Sequence, residues 1–126
     1  MRFVKKDIRE EWSRIKDSLT KTLHPSDSLE ELYHKCRNEQ AFLFVVPEGY
    51  IIVDEFNDDD GQKVLFLWVV YGEGKNLIIE YEKDIDELAH MIGATKIAFR
   101  TLRKGFEKVL SDKWYVEHIE YRKRVA

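Results

Sequence analysis

The residues best suited by type and spacing to do chemistry in this 126-residue chain are Gly72-Glu73-Gly74-Lys75-Asn76. Two glycines one residue apart, at the head of a helical pattern, present free backbone N–H groups. Such a turn is a ready seat for phosphate, because a helix N-terminus adds partial positive charge. Lys75 adds a full charge and Glu73 opposes it. Gly74 is expected to let phosphate approach because it carries no side chain. The second candidate is Glu55, with Asp54 beside it near the end of a strand-like stretch. A carboxylate there can take a proton from an amine, directly or through water. Alternation turns only one of the pair inward. His24, His34, His90 and His118 show no metal-ligand spacing, so no metal is expected. Asp58-Asp59-Asp60 has no spaced partners for a Ca²⁺ loop and reads as a turn. Cys36 is the single cysteine, which excludes an internal disulfide, and it falls in an apolar stripe.

These candidates depend on the elements that carry them. Val64 to Tyr71 is an unbroken apolar run, which reads as a strand covered on both faces and central in its sheet. After the glycine turn, Leu77, Ile78, Tyr81, Ile85, Leu88, Ala89 and Ile92 recur at steps of three and four, the period of a helix. Gly93 is placed to close it in a left-handed cap. Lys96 to Arg100 is a further strand, and the βαβ connection makes it parallel to the first. Upstream, Arg2-Phe3-Val4 is a short strand. Asp7 caps a helix whose buried face is Ile8, Trp12, Ile15 and Leu19, ending before His24-Pro25. Ser28 caps a second helix with the stripe Leu29, Leu32, Tyr33 and Cys36. Ala41–Val46 and Tyr50–Phe56 join the central run in an antiparallel meander through the turns Pro47–Gly49 and Asn57–Gly61. Downstream, a helix is expected over Leu102–Leu110, then strands around Trp114–Val116 and Ile119–Tyr121. The whole predicts one domain, 1–126: an α/β mixed sheet of six to seven strands with helices on both faces.

Bulk properties narrow the function classes. Hydrophobic residues make up 44% of the chain, enough for a substantial core. The net charge is -3 with the signs interspersed, which argues against a general nucleic-acid binder. The longest apolar run is far short of a membrane span, and no signal-peptide pattern opens the chain. A soluble, cytoplasmic protein is expected.

The order of elements, together with Gly72-x-Gly74 and Arg103-Lys104-Gly105-Phe106-Glu107, resembles the GNAT superfamily of acetyl-CoA-dependent N-acetyltransferases. It is most similar to the short GNAT-like proteins of tailed bacteriophages, whose corresponding element is Arg-Arg-Gly-Trp-Glu. The resemblance implies acetyl-CoA as cofactor, bound along Val69, Val70, Tyr71, Gly72, Glu73, Gly74, Lys75 and Asn76. It also implies an amine acceptor, small molecule or peptide, with no nucleic acid and no membrane, and it admits a homodimer. Acceptor pockets in this fold come from the first helices and nearby loops. Two positions depart from the family pattern. Val69 stands where a Gln or Arg precedes the glycines, and Phe106 stands where many members place a Tyr that protonates the departing thiolate. Tyr115, or Tyr121 beyond it, is the substitute donor, and Glu55 the candidate base. The competing expectation is a GNAT-fold protein without catalysis, serving a phage as a structural or host-interaction component. A third is a module that retains coenzyme A as a structural ligand.

Overall fold

Two side chains start the first helices. In the computed structural model, which describes residues 1–74, 76–101, 106–116 and 123–124, the Asp7 carboxylate accepts the backbone N–H of Arg9. The Ser28 hydroxyl accepts that of Glu31. Each satisfies an amide that has no partner inside its own first turn. Helix α1 follows over Ile8–Thr22 and α2 over Leu29–Arg37. Strands β1 (Val4–Lys6), β2 (Phe42–Val46), β3 (Gly49–Asn57) and β4 (Lys63–Gly72) form an antiparallel meander. Helices α3 (Leu77–Glu80) and α4 (Glu82–Ile92) then cross over to β5 (Lys96–Phe99), which lies parallel to β4 at the edge of the sheet. Gly93 closes α4 at φ 75, the left-handed cap that its position in the sequence predicts.

Alternation sorts the sheet residues between two cores. Ile51, Val53, Leu65 and Leu67 pack with Leu77, Ile78, Ile85 and Leu88 of α3 and α4. Leu43, Tyr50, Ile52 and Val69 pack with Ile8, Ile15, Leu19 and Leu32 of α1 and α2. Helices therefore cover both faces, and the apolar run of β4 serves both cores. Burying each such aliphatic side chain contributes roughly 1.5–3 kcal/mol. Cys36 sits at the margin of the α1–α2 core, where burial, with Asp54 nearby, pushes its thiol up to about 12.

The structure corrects the sequence reading in several places. The sheet has five strands among the described residues, not six or seven. Trp114 to Val116 forms no strand: the Trp114 indole donates to Glu82 and packs edge-on against Phe99, so tertiary contacts override strand propensity. Ile119–Tyr121 and residues 102–105 lie outside the described residues. Of the helix expected over Leu102–Leu110, the described part is a 3₁₀ turn, Phe106–Lys108. The long helix after the glycine turn is broken at Tyr81 (φ -116, ψ 22). The Tyr81 ring lies between Phe3 and the Arg2 guanidinium, and its hydroxyl donates to Glu48. The Tyr81 N–H still reaches the Leu77 carbonyl, so helical spacing runs through the break and the sequence period hides it. Trp12, expected in the buried stripe, is half-buried and meets Tyr33 edge-on at 4.7 Å.

Candidate functional site

The central strand carries one residue too many for its neighbour. Ile52 pairs with Val69 and Val53 pairs with Leu67, so Trp68 has no residue opposite it. This is a β-bulge, which bends the strand and re-aims side chains. Its effect is visible in the packing. Leu67 faces the α3–α4 core, whereas both Trp68 and Val69 face the α1–α2 core, and Val70 returns to the first side. The parallel pairing of β4 with β5 runs from Val64 with Lys96 to Leu67 with Phe99 and ends at the bulge. Beyond it, residues 68–72 have no β5 partner among the described residues. Two parallel strands whose pairing ends in this way form a fork, with the strand edge of residues 68–72 beside it unpaired with β5 among the described residues.

At the end of that edge is the glycine turn. Gly74 adopts φ 68, a left-handed conformation that glycine takes without strain, and a side chain there would meet open space. The requirement at Gly74 is thus for backbone conformation rather than for close approach by a neighbouring part of the chain. The amides of the turn are partly committed. The Glu73 N–H donates to the Glu48 carbonyl at 2.8 Å. The Asn76 carboxamide accepts the N–H groups of Ile78 and Ile79 and so caps α3 itself. Lys75 lies outside the described residues. The Tyr71 ring stacks on Tyr50 at 5.3 Å, and its hydroxyl reaches Glu73 at 3.4 Å. Burial pushes the Tyr50 hydroxyl up to about 12, so it stays protonated at neutral pH.

The two side chains named from the sequence for proton transfer make no hydrogen bond to residues 68–74 among the described residues. Glu55 pairs with Leu65, three residues before the bulge, which is about 10 Å along a strand. It is exposed and pairs with Lys63 at 3.9 Å. Tyr115 is 68% exposed. Phe106 packs on Phe99 at 5.2 Å, within the aromatic cluster that covers the α4 side of β5. Among the described residues there is no group of acidic, histidine and cysteine side chains fit to hold a metal.

Sequence reasoning missed the polar group that does meet at the fork. Asp27, in the connection between α1 and α2, accepts the Trp68 indole N–H at 2.9 Å and an Arg100 N–H at 2.7 Å, both on the same oxygen. Lys35 of α2 lies 5.4 Å from the Trp68 ring and 3.2 Å from Asp54. Asp27 and Arg100 stand 73 positions apart in the chain, and no local motif links them. A cavity of about 230 Å³ lies at the β1–β2 edge, among Lys6, Ile8, Cys36 and Leu43, and takes in none of residues 68–76.

No protein-family model and no curated protein matches the chain. Solved structures do. A probable acetyltransferase superposes with a TM-score of 0.66 at 12% identity, over 100% of this chain and 97% of that one. The ribosomal-protein-alanine N-acetyltransferase of Brucella melitensis biovar Abortus 2308 gives a TM-score of 0.62 at 15% identity, over 98% of each chain. A candidate acetyl transferase from Pyrococcus furiosus gives 0.58 at 18% identity, over 98% of this chain and 99% of that one. At these identities the likeness is one of fold: a mixed sheet flanked by helices, as in GNAT acetyltransferases.

Proposed function

We propose that this chain is an acetyltransferase-like protein that takes acetyl-coenzyme A as cofactor and an amine as acceptor. The observation that carries the reading is the fork: a bulge at Trp68, followed by residues 68–72, which have no β5 partner among the described residues. The pantetheine arm of coenzyme A carries amides, and an open strand edge can pair with them as it would with another strand. The residues at hand suit that arm. Val69, Val70, Tyr71 and Gly72 would hold it through backbone groups, while Gly74 and Asn76 line the turn for the pyrophosphate. Bound there, acetyl-coenzyme A supplies an activated thioester, at which an N–C bond forms as the C–S bond breaks, the amine's proton passing to the departing thiol. Backbone N–H groups at the bulge are the chain's own means of stabilising charge on the carbonyl oxygen.

Three observations favour the second reading, a GNAT-fold protein without catalysis. The Glu73 N–H is already bonded, the Asn76 side chain already occupies the head of α3, and Phe106 offers no hydroxyl. The finer placement among short proteins of tailed bacteriophages rests on residues 103–107 and belongs to the same proposal. So do a cytoplasmic site of action, a homodimer and a lack of nucleic-acid and membrane partners. Among the described residues no helix is long and apolar enough to cross a membrane. Native mass spectrometry for bound coenzyme A, with acetyl-CoA turnover measured against a panel of amines, tests the reading. A retained adduct or turnover is expected. Neither adduct nor turnover, with no calorimetric heat at millimolar acetyl-CoA, overturns it in favour of the second.

A further inference from the structure

We infer that Asp27 is the acceptor-binding residue of the fork, its second carboxylate oxygen receiving an N–H of a primary amine. The inference deepens the acetyl-transfer reading and rests on it. The last paired residues of the two parallel strands are Leu67 and Phe99. The next residue on each strand, Trp68 and Arg100, donates to Asp27 Oδ2. One carboxylate oxygen therefore bridges the strands at the first step where their backbones no longer do. The other oxygen, Oδ1, has no hydrogen bond among the described residues. The Asp27 side chain is only 18% exposed, and two donors fix its Oδ2 beside the bulge. A fixed carboxylate whose second oxygen has no hydrogen bond among the described residues suits a ligand that brings donors and no acceptor. A protonated amine has three N–H donors and nothing else, whereas an alcohol has one and no charge; the bound ammonium gives one proton to water before its freed lone pair attacks the thioester. The opposite side of β5 is filled by Phe99, Phe106 and Trp114, which leaves the Asp27 side as the polar approach. Arg100, stacked 5.2 Å from Phe66, is a positioning residue that sets the carboxylate's orientation.

The test follows the Trp68 indole N–H by ¹⁵N NMR in the full chain. The probes are n-butylamine, an alanine tripeptide with a free N-terminus, and n-butanol as the uncharged control. A saturable indole shift is expected with at least one amine and not with butanol. Asp27→Asn keeps an acceptor for the indole and loses the charge, so amine affinity should fall about tenfold or more. Asp27→Glu should restore it to within about threefold. Acetyl-CoA affinity by calorimetry should stay within about twofold in both variants, and the loss in turnover should appear in the amine KM before kcat. A purely structural role would instead lower thermal stability and acetyl-CoA affinity together. An indole unmoved by either amine, an equal response to butanol, or undiminished amine affinity in Asp27→Asn overturns the assignment. Amine binding at Asp27 in a protein that neither binds nor consumes acetyl-CoA overturns the acetyl-transfer reading and leaves the amine site standing.

Discussion

At the scale of single residues, Asp84 shows how the first residues of the chain reach the site. It is 6% exposed, accepts the backbone N–H of Arg2, and takes two further hydrogen bonds from the Arg2 guanidinium. The same guanidinium lies over Tyr81, Tyr81 donates to Glu48, and the Glu48 carbonyl holds Glu73 in the glycine turn. The Arg2 side-chain hydrogen bonds, more than its charge, hold the Asp84 carboxyl below its ordinary 3.8. A carboxyl that titrates lower in the folded chain than in the unfolded one stabilises fully above the unfolded value. Its contribution is lost as pH falls through the folded value. Asp84→Asn should therefore lower the urea midpoint by a constant amount between about pH 5 and 8, and the gap should narrow below about pH 4. Urea melts across that range check this, and a gap that widens in acid contradicts it.

At the scale of elements, the meander depends on a glycine that the sequence shows only as part of a turn. Gly49 faces Gly72 across β3 and β4, and a Cβ at Gly49 would sit 1.9 Å from the Tyr71 carbonyl oxygen. The obstacle is backbone, so no rotamer relieves it. Gly49→Ala should cost about 3 kcal/mol and displace the start of the glycine turn. A melt showing a loss well under about 1 kcal/mol would mean that the strands part easily here. The α1 stripe offers a second comparison. Leu19 is fully buried, so Leu19→Ala should cost about 2–5 kcal/mol. Trp12 is half-buried and keeps mainly its edge contact with Tyr33, which places Trp12→Ala nearer 1–2 kcal/mol, the range of an aromatic pair plus partial burial. Denaturation of the two variants side by side gives the order, and Trp12→Ala as the more costly would reverse the packing argument.

At the scale of the whole molecule, two helical layers enclose a sheet whose two parallel strands are bridged by the Asp27 carboxylate where their backbone pairing ends. A ligand that pairs with the edge of residues 68–72 binds the folded state alone and should stabilise it. At about one hundred times its dissociation constant, acetyl-coenzyme A would add roughly 2.7 kcal/mol. In a domain of this size that corresponds to a rise in Tm on the order of 10 °C. A thermal melt with and without saturating acetyl-CoA measures it. An unchanged Tm at millimolar ligand would tell against the fork as a cofactor site.

Taken alone, the sequence determined every element that local chemistry controls. Asp7 and Ser28 cap their helices, Gly93 ends α4, and the two-sided burial of β4 follows from an apolar run without alternation. The parallel β5 was legible for the same reason, since strand, glycine turn, helix and strand allow few other arrangements. The bulge at Trp68 was not legible. One unpaired residue inside a run of apolar side chains leaves no mark on the pattern, because Leu67, Trp68, Val69 and Val70 are apolar whichever way they point. The break at Tyr81 was hidden likewise, its helical spacing intact. Glu55 and Tyr115 suit proton transfer by residue type, but where they stand relative to the fork depends on strand register and on the path after β5. Asp27 lay in an unremarked connection, and only the folding of three distant segments onto one another brings its carboxylate to Trp68 and Arg100. Periodicity and capping act within a few residues and can be read along the chain. The fork and its carboxylate exist only where separate elements meet, which the tertiary structure alone decides.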